Sequence, residues 1–160
     1  MKDTGFTHLD NTGRATMVDV GEKAITRRTA TARSIVHLPD EVLTQLADGD
    51  LQTKKGSVFQ TAIIAGIMAA KKTGDLIPLC HPLGLENCNI TIQFNEEREV
   101  VINCTVSITA KTGIEMEALV GASVAALTIY DMCKALSHDI VIKETKLVEK
   151  TGGKRDFKRS

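Results

Sequence analysis

The sequence predicts an α+β fold in the order β-α-β-β-α-β. Three observations predict it: two adjacent segments with strand alternation in the middle of the chain, two long stretches with helical character, one rich in Ala and Gly and one nearly uncharged between its ends, and a β-branched segment near each end. The chain has 160 residues, enough for one domain to bury a core without disulfides or a structural metal.

Residues 1 to about 20 lack a clear period and contain Gly5 and Gly13, with Gly21 just beyond, which suggests a mobile N-terminal arm that orders against a ligand or partner. Residues 24 to 37, rich in Thr, Ile and Val, read as a polar strand. After Pro39, Asp40 to Ala47 suggests a short helix with Val42, Leu43 and Leu46 on its apolar face. A second helix is expected from Ser57 to Lys72, with Gly74 as its stop. Its Ala62, Ala65, Gly66, Ala69 and Ala70 permit close packing. In Asp75 to Leu83, D-L-I-P-L-C-H-P-L, two prolines exclude continued helix and favour an extended loop.

Asn89 to Phe94 alternates Ile90, Ile92 and Phe94 with polar residues. Val101 to Thr109 sets Ile102, Cys104, Val106 and Ile108 against Asn103, Thr105 and Ser107. Asn95 to Glu99 is the hairpin loop between these strands. A long helix follows towards Lys134, then a strand from Ile140 to Glu149 and a Gly- and Lys-rich tail over 151–160. With the two early helices merged into one crossover, this order is the ferredoxin-like split motif, an antiparallel sheet packed against helices.

Composition excludes several function classes. With 20 basic and 20 acidic residues, no global field favours nucleic acid or an anionic membrane. Aromatic content of 3% argues against base-stacking platforms. The apolar runs are interrupted by Gly, Ser, Lys or Asp before the ~18 residues that a span needs. The N-terminus M-K-D-T-G-F-T-H-L-D lacks the apolar core of a signal peptide, so the expected location is cytoplasmic. Cys80, Cys88, Cys104 and Cys133 show no C-x-x-C spacing and no metal site is expected.

The segment from Lys111 to Lys134 carries the strongest functional signal, because it is nearly uncharged except at its ends. Thr112 and Glu115 fit a T-x-x-E capping box, and an acidic start suits the helix dipole. Asp131 does not fit, since a carboxylate near a helix C-terminus opposes the dipole. With Lys134 it forms an i, i+3 pair on one face, which favours a functional role. Glu117 and Asp131 lie about 40° apart around the axis and about 21 Å apart along it. Either the ligand is long and charged, such as a nucleotide, or the two helix ends serve different sites that neighbouring subunits complete. Lys55 before Gly56, and Lys111 before Thr112 and Gly113, stand at helix starts where free N–H groups favour anions. Lys71 closes the second helix. His81, set between Cys80 and Pro82, suits phosphate binding or proton transfer near neutral pH, whereas His8, His37 and His138 read as surface residues.

The motifs M-V-D-V (17–20), A-I-I-A-G-I (62–67), D-L-I-P-L-C-H-P-L (75–83), K-T-G-I-E-M-E-A-L (111–119), A-L-T-I-Y-D-M-C-K (126–134) and G-G-K (152–154) resemble, in order and across nearly the whole chain, the cyclic pyranopterin monophosphate synthase family, molybdenum cofactor biosynthesis protein C. Ala110, Ser57 and the shortened G-G-K-R-D-F tail depart from its pattern. The resemblance implies a lyase that converts a cyclic triphosphorylated GTP derivative, (8S)-3′,8-cyclo-7,8-dihydroguanosine 5′-triphosphate, to cyclic pyranopterin monophosphate with release of pyrophosphate. It also implies a ferredoxin-like homohexamer, a trimer of dimers, with sites at subunit interfaces. No cofactor is obligatory, and Mg2+ accompanying the triphosphate is compatible with it. The implied catalytic residues are Lys55, Asp131 and Lys134. Leu79, Cys80, His81, Met116 and Glu117 would line the substrate site, with Arg28, Lys71, Lys111, Glu115 and Lys150 as further polar or phosphate contacts.

Overall fold

The computed structural model of the chain describes residue 5 and residues 7–160. In chain order its elements are β1 (Thr26–His37), α1 (Asp40–Leu43), β2 (Leu46–Ala47), β3 (Asp50–Thr53), β4 (Gly56–Ser57), α2 (Val58–Lys71), α3 (Thr73–Leu76), β5 (Asn87–Phe94), β6 (Val100–Ala110), α4 (Glu115–Cys133), β7 (Val141–Thr151) and β8 (Phe157–Lys158). The fold is α+β. An antiparallel sheet of order β5-β6-β1-β7-β8 carries α2 and α4, and β2, β3 and β4 form a small second sheet.

The alternation read from β5 and β6, and one not read from the polar strand β1, become the two faces of the main sheet. Ala30, Ala32 and Val36 of β1 and Ile102, Cys104, Val106 and Ile108 of β6 are buried beneath the helices. The opposite face is polar and laced across the strands: the Thr31 and Thr105 hydroxyls lie 2.9 Å apart, and Arg33 Nε donates to Asn103 Oδ1 at 2.9 Å. One-sided burial of this kind is what an antiparallel sheet allows. The register between β1 and β7 shifts at Thr31/Ala32 and again at Ile35/Val36, and such irregularities bend a strand locally.

The small residues anticipated in α2, met by Gly121 of α4, explain how closely the two helices cross. A Cβ added at Gly66 of α2 would stand 2.7 Å from the Gly121 carbonyl of α4, and one at Gly121 would stand 2.6 Å from Cys104 Sγ. Two backbones and a strand side chain therefore meet at this crossing. The 19-residue α4 is apolar enough by length and composition to cross a membrane, yet Ala118, Ala122, Ala125, Ala126 and Ile129 are fully buried in the protein core. Its character is that of a central core helix.

Four local expectations are corrected. The helix expected over Asp40 to Ala47 stops at Leu43, because Asp48 (φ 51°) and Gly49 (φ 78°) form a two-residue turn that pairs Leu46–Ala47 with β3. Gly74 does not stop the second helix: Lys72 caps it, and Gly74 lies inside α3, which also takes Asp75 and Leu76 out of the expected loop. The Thr112–Glu115 capping box is absent. Ile114 holds the N-cap position with no side-chain cap, and Glu115 instead pairs with Lys150. The first strand begins at Thr26, two residues later than expected.

Residues 151–160 fold back so that β8 pairs with the end of β7, Lys150 opposite Phe157. Part of the N-terminal arm, residues 1–4 and 6, lies outside the described residues. The rest forms a turn around Asp10, whose carboxylate accepts from the Thr12 and Arg14 N–H groups, and a single bridge between Leu9 and Ala15.

Candidate functional site

The start of α4, the loop after α3, the beginning of β1, the end of β7 and the N-terminal arm converge on a cleft of about 420 Å³. Leu79, Cys80, His81 and Leu83 come from the loop, and Gly113 to Glu117 from the helix start. Arg28 and Thr29 come from β1, Lys150 and Thr151 from β7, and Gly153 and Lys154 from the turn beyond. Thr7, His8, Val18 and Lys23 of the arm complete the wall. The turn beyond β7 depends on Gly152 (φ +84°), where a Cβ would stand only 1.9 Å from the Arg27 carbonyl. Thr26 Oγ1 donates to the Gly152 carbonyl at 2.7 Å, so β1 and the turn bearing Lys154 are held together.

Charge in this cleft is arranged in pairs. Lys150 Nζ donates to Glu115 Oε1 at 2.6 Å, both side chains being about a third exposed. Burial alone would raise the Glu115 carboxyl, but the Lys150 hydrogen bond, its own backbone N–H and the Lys150 and Arg28 charges outweigh that and hold it low. Glu117, only 4% exposed, is pushed up by burial, an effect its own backbone N–H offsets only partly and the Glu115 charge reinforces. Burial and the Glu117 charge also push the Cys80 thiol up, which removes the activated thiolate that a cysteine nucleophile needs. Arg28 is fixed by hydrogen bonds from Nε to the Ala110 carbonyl at 3.1 Å and from Nη2 to the Lys111 carbonyl at 3.2 Å. Lys111 Nζ donates to the Gly21 carbonyl at 2.5 Å and so ties the arm to the chain entering α4. Lys23, Arg28, Lys150 and Lys154 thus surround the N-terminus of a 19-residue helix, and that helix end adds its own attraction for anions.

The second cluster sits at the far end of the same helix. Lys134, the C-cap of α4, donates from Nζ to Asp131 Oδ1 at 2.6 Å, with both side chains about half exposed. The Lys134 hydrogen bond and charge, joined by the charge of Lys55, hold the Asp131 carboxyl low; Asp131 in turn raises the Lys134 ammonium. Lys134 therefore rests as a protonated donor. Lys55 reaches this place from the tight turn between β3 and β4, where its N–H donates to Thr53 Oγ1 at 3.1 Å and Gly56 takes φ +103°.

Of the residues singled out in the sequence, Arg28, Leu79, Cys80, His81, Glu115, Met116, Glu117 and Lys150 line the cleft together. Lys111 stands behind it, and Lys55, Asp131 and Lys134 form the separate cluster. Lys71 joins neither group; its charge acts on Cys88, whose thiol is lowered first by the Cys104 hydrogen bond and, despite burial, by Lys71. Sequence reasoning missed Lys23, Thr7 and Leu83, and placed His8 merely on the surface, where it is exposed but also faces the cleft. Only the G-G-K motif signalled Lys154; the arm has no periodicity from which its lining residues could be picked. Among the described residues no group of three or more His, Cys, Asp or Glu side chains is placed to hold a metal ion.

A one-sided α+β domain with a cation-lined cleft at one end of its core helix and a lysine–aspartate pair at the other is a protein built to handle a small polyanion. Residues 17–153 match the MoaC family, and the chain belongs to that family. It is 57% identical over 152 residues to a cyclic pyranopterin monophosphate synthase of Xanthomonas axonopodis pv. citri, covering 95% of this chain and 92% of that one. It is also 52% identical to a molybdenum cofactor biosynthesis bifunctional protein of Synechocystis, with 97% of this chain matching 46% of that protein. Molybdenum cofactor biosynthesis protein 1 of Dictyostelium discoideum is 49% identical, with 96% of this chain matching 27% of its length.

Proposed function

We propose that the chain is a lyase of molybdenum cofactor biosynthesis that converts (8S)-3′,8-cyclo-7,8-dihydroguanosine 5′-triphosphate to cyclic pyranopterin monophosphate and pyrophosphate. The observation that carries this reading is the placement of Lys55, Asp131 and Lys134 in one cluster while Arg28, Lys150 and Lys154 line a cleft with Glu117 and His81. Forming a cyclic monophosphate from a triphosphate requires an oxygen of the substrate to attack the α-phosphorus as pyrophosphate leaves. Fixed cations suit the departing charge. The ring opening and pterin closure that accompany it are proton transfers, for which a protonated Lys134 serves as acid, with Lys55 and Asp131 beside it as the other groups of the transfer. Leu79, Cys80 and Met116 shape the substrate pocket, and Lys71 and Lys111 contribute charge from outside it.

On this reading the fold is ferredoxin-like and the assembly a homohexamer, a trimer of dimers in the cytoplasm. The 14 residues from Glu117 to Asp131 separate the two clusters by about 21 Å along α4, so each complete site draws its cleft from one subunit and its lysine pair from a neighbour. No cofactor is obligatory, and magnesium would arrive with the triphosphate.

Incubation of the purified oligomer with the cyclic GTP derivative is expected to release pyrophosphate; an intact oligomer that releases none refutes the proposal. The rival reading, a nucleotide-binding regulatory module on the same fold, predicts binding without turnover. Lys134→Ala separates the two, since only a catalyst can lose turnover while keeping substrate affinity.

A further inference from the structure

The turn that carries Lys55 is too slight to hold itself. β3 and β4 pair through two residue pairs, Gln52 with Ser57 and Thr53 with Gly56, and on its other edge β3 pairs with β2 through Leu46 with Leu51 and Ala47 with Asp50; so small a sheet is marginal in water without further anchoring. The Lys55 N–H is bonded to Thr53 Oγ1, within the same ribbon. Its placement against Asp131 therefore depends on what fixes the ribbon to the rest of the protein.

Besides the pairing with β2 and the continuity of β4 with α2, one carboxylate ties the ribbon to the helix start. Asp50 Oδ1 accepts from the Phe59 N–H at 2.9 Å and from the Leu51 N–H at 2.6 Å, while Oδ2 accepts from the Ser57 hydroxyl. Ser57 Oγ accepts in turn from the Gln60 N–H at 3.2 Å, so the first strand of the ribbon, its last residue and the first turn of α2 are joined in one network. The anchor itself is rigid. Leu51 and Val58 are fully buried and Phe59 is 4% exposed, its ring packed 5.7 Å from that of Phe94. The first turn of α2 has no acidic residue of its own, so Asp50 also supplies the negative charge that a helix N-terminus favours. On its other side Asp50 faces the end of α4, where its charge and, above all, burial raise the Cys133 thiol to about 11.

We propose that Asp50 is a positioning residue for Lys55: its carboxylate clamps the Lys54–Lys55 turn to the buried start of α2 and so sets the Lys55 ammonium beside Asp131 and Lys134. The inference rests on the role given to Lys55 above. It adds a residue that touches neither substrate nor reacting atoms and acts through the turn.

The test compares Asp50→Ala, Asp50→Asn, Lys55→Ala and the double variant Asp50→Ala/Lys55→Ala in the full oligomer. In pyrophosphate release, Asp50→Ala should lower kcat at least about tenfold with KM little changed, as expected when a catalytic group is displaced rather than removed. Asp50→Asn keeps an acceptor for the Phe59 N–H and should restore most of that loss. The double variant should be no slower than Lys55→Ala alone; additive losses overturn the proposal. A readout without substrate is the titration of the Asp131 carboxyl by carbon NMR. Lys55→Ala should raise its midpoint, and Asp50→Ala should raise it too with Lys55 still present. An Asp131 titration unmoved by Asp50→Ala overturns the proposal. If Asp50→Ala melts below assay temperature, Asp50→Ser is judged by the same criteria. A wild type that releases no pyrophosphate would refute the lyase reading, and the NMR titration would still decide whether Asp50 places Lys55.

Discussion

Two inactive variants with lesions at opposite ends of α4 should restore activity when assembled together. Lys134→Ala removes the donor of the exposed pair at the helix C-terminus, and His81→Ala removes a lining group of the cleft at its N-terminus. The 14 residues between Glu117 and Asp131 place these ends about 21 Å apart, at 1.5 Å per residue. If each site joins the cleft of one subunit to the lysine pair of its neighbour, random assembly of equal amounts gives each half-site an even chance of being intact. Roughly a quarter of all sites are then whole, because the two halves come from independent protomers in a symmetric assembly. The two variants, differently tagged and co-expressed, should yield hybrid oligomers with about a quarter of wild-type pyrophosphate release, while each variant alone gives almost none. Hybrids as inactive as their parents would refute the shared-site geometry. They would favour a single chain whose ligand spans the helix.

Gly66→Ala should lower thermal stability although alanine is the better helix former by about 1 kcal/mol. Its Cβ would stand 2.7 Å from the Gly121 carbonyl and 2.5 Å from Ile90 Cδ1. Overpacking of up to about 3 kcal/mol then leaves a net loss near 2 kcal/mol, or roughly 4–8 °C in Tm by calorimetry; an unchanged Tm would contradict the close crossing. Glu117→Gln should stabilise the substrate-free protein in alkali. The native carboxyl titrates above its unfolded value, so its contribution is most favourable below the unfolded pKa and declines as pH rises through the folded one. The variant should therefore melt higher than wild type at pH 8 by a few degrees, on the order of 1 kcal/mol, and equally at pH 3. Lys150→Met should show the opposite pH dependence: Glu115 is held low, so the stabilisation is present above its unfolded pKa and lost as pH falls through the folded one. With side chains about a third exposed, the loss near pH 7 should be about 1 kcal/mol at most, vanishing in melts at low pH.

Where local pattern and tertiary packing agree, the elements were legible in the sequence. β5 and β6 follow their alternation almost to the residue, since one face of each is pressed against helices. The small residues of α2 anticipated a close approach that Gly66 makes, and Gly121 of α4, which the sequence did not single out, is its counterpart. The failures have particular causes. Thr112 and Glu115 have the spacing of a capping box, but Ile114, 1% exposed, is drawn into the core at the position a cap would occupy, and Lys150 captures Glu115. Val42, Leu43 and Leu46 have helical spacing, yet Asp48 and Gly49 form a turn that turns the chain into β2 and β3 after less than two helical turns. Lys23 and His8 belong to an arm with no regular structure, so nothing local marks them as cleft residues.

Sequence alone determined the order of the main elements β1, α2, β5, β6, α4 and β7, the charge at each end of α4 and the axial distance between those ends, because all three follow from local periodicity and helix geometry; the small sheet of β2, β3 and β4 was not legible in it. Which distant segments meet those ends was decided only by tertiary structure. Lys150 reaches Glu115 from 35 residues away, and the charge of Lys55 acts on Asp131 from the turn between β3 and β4. Such encounters depend on how the helices pack and on which hydrogen bonds, like those of Asp50, hold a short turn in place. Side-chain spacing encodes faces and ends; contacts between faces arise only when the buried surfaces have chosen their partners.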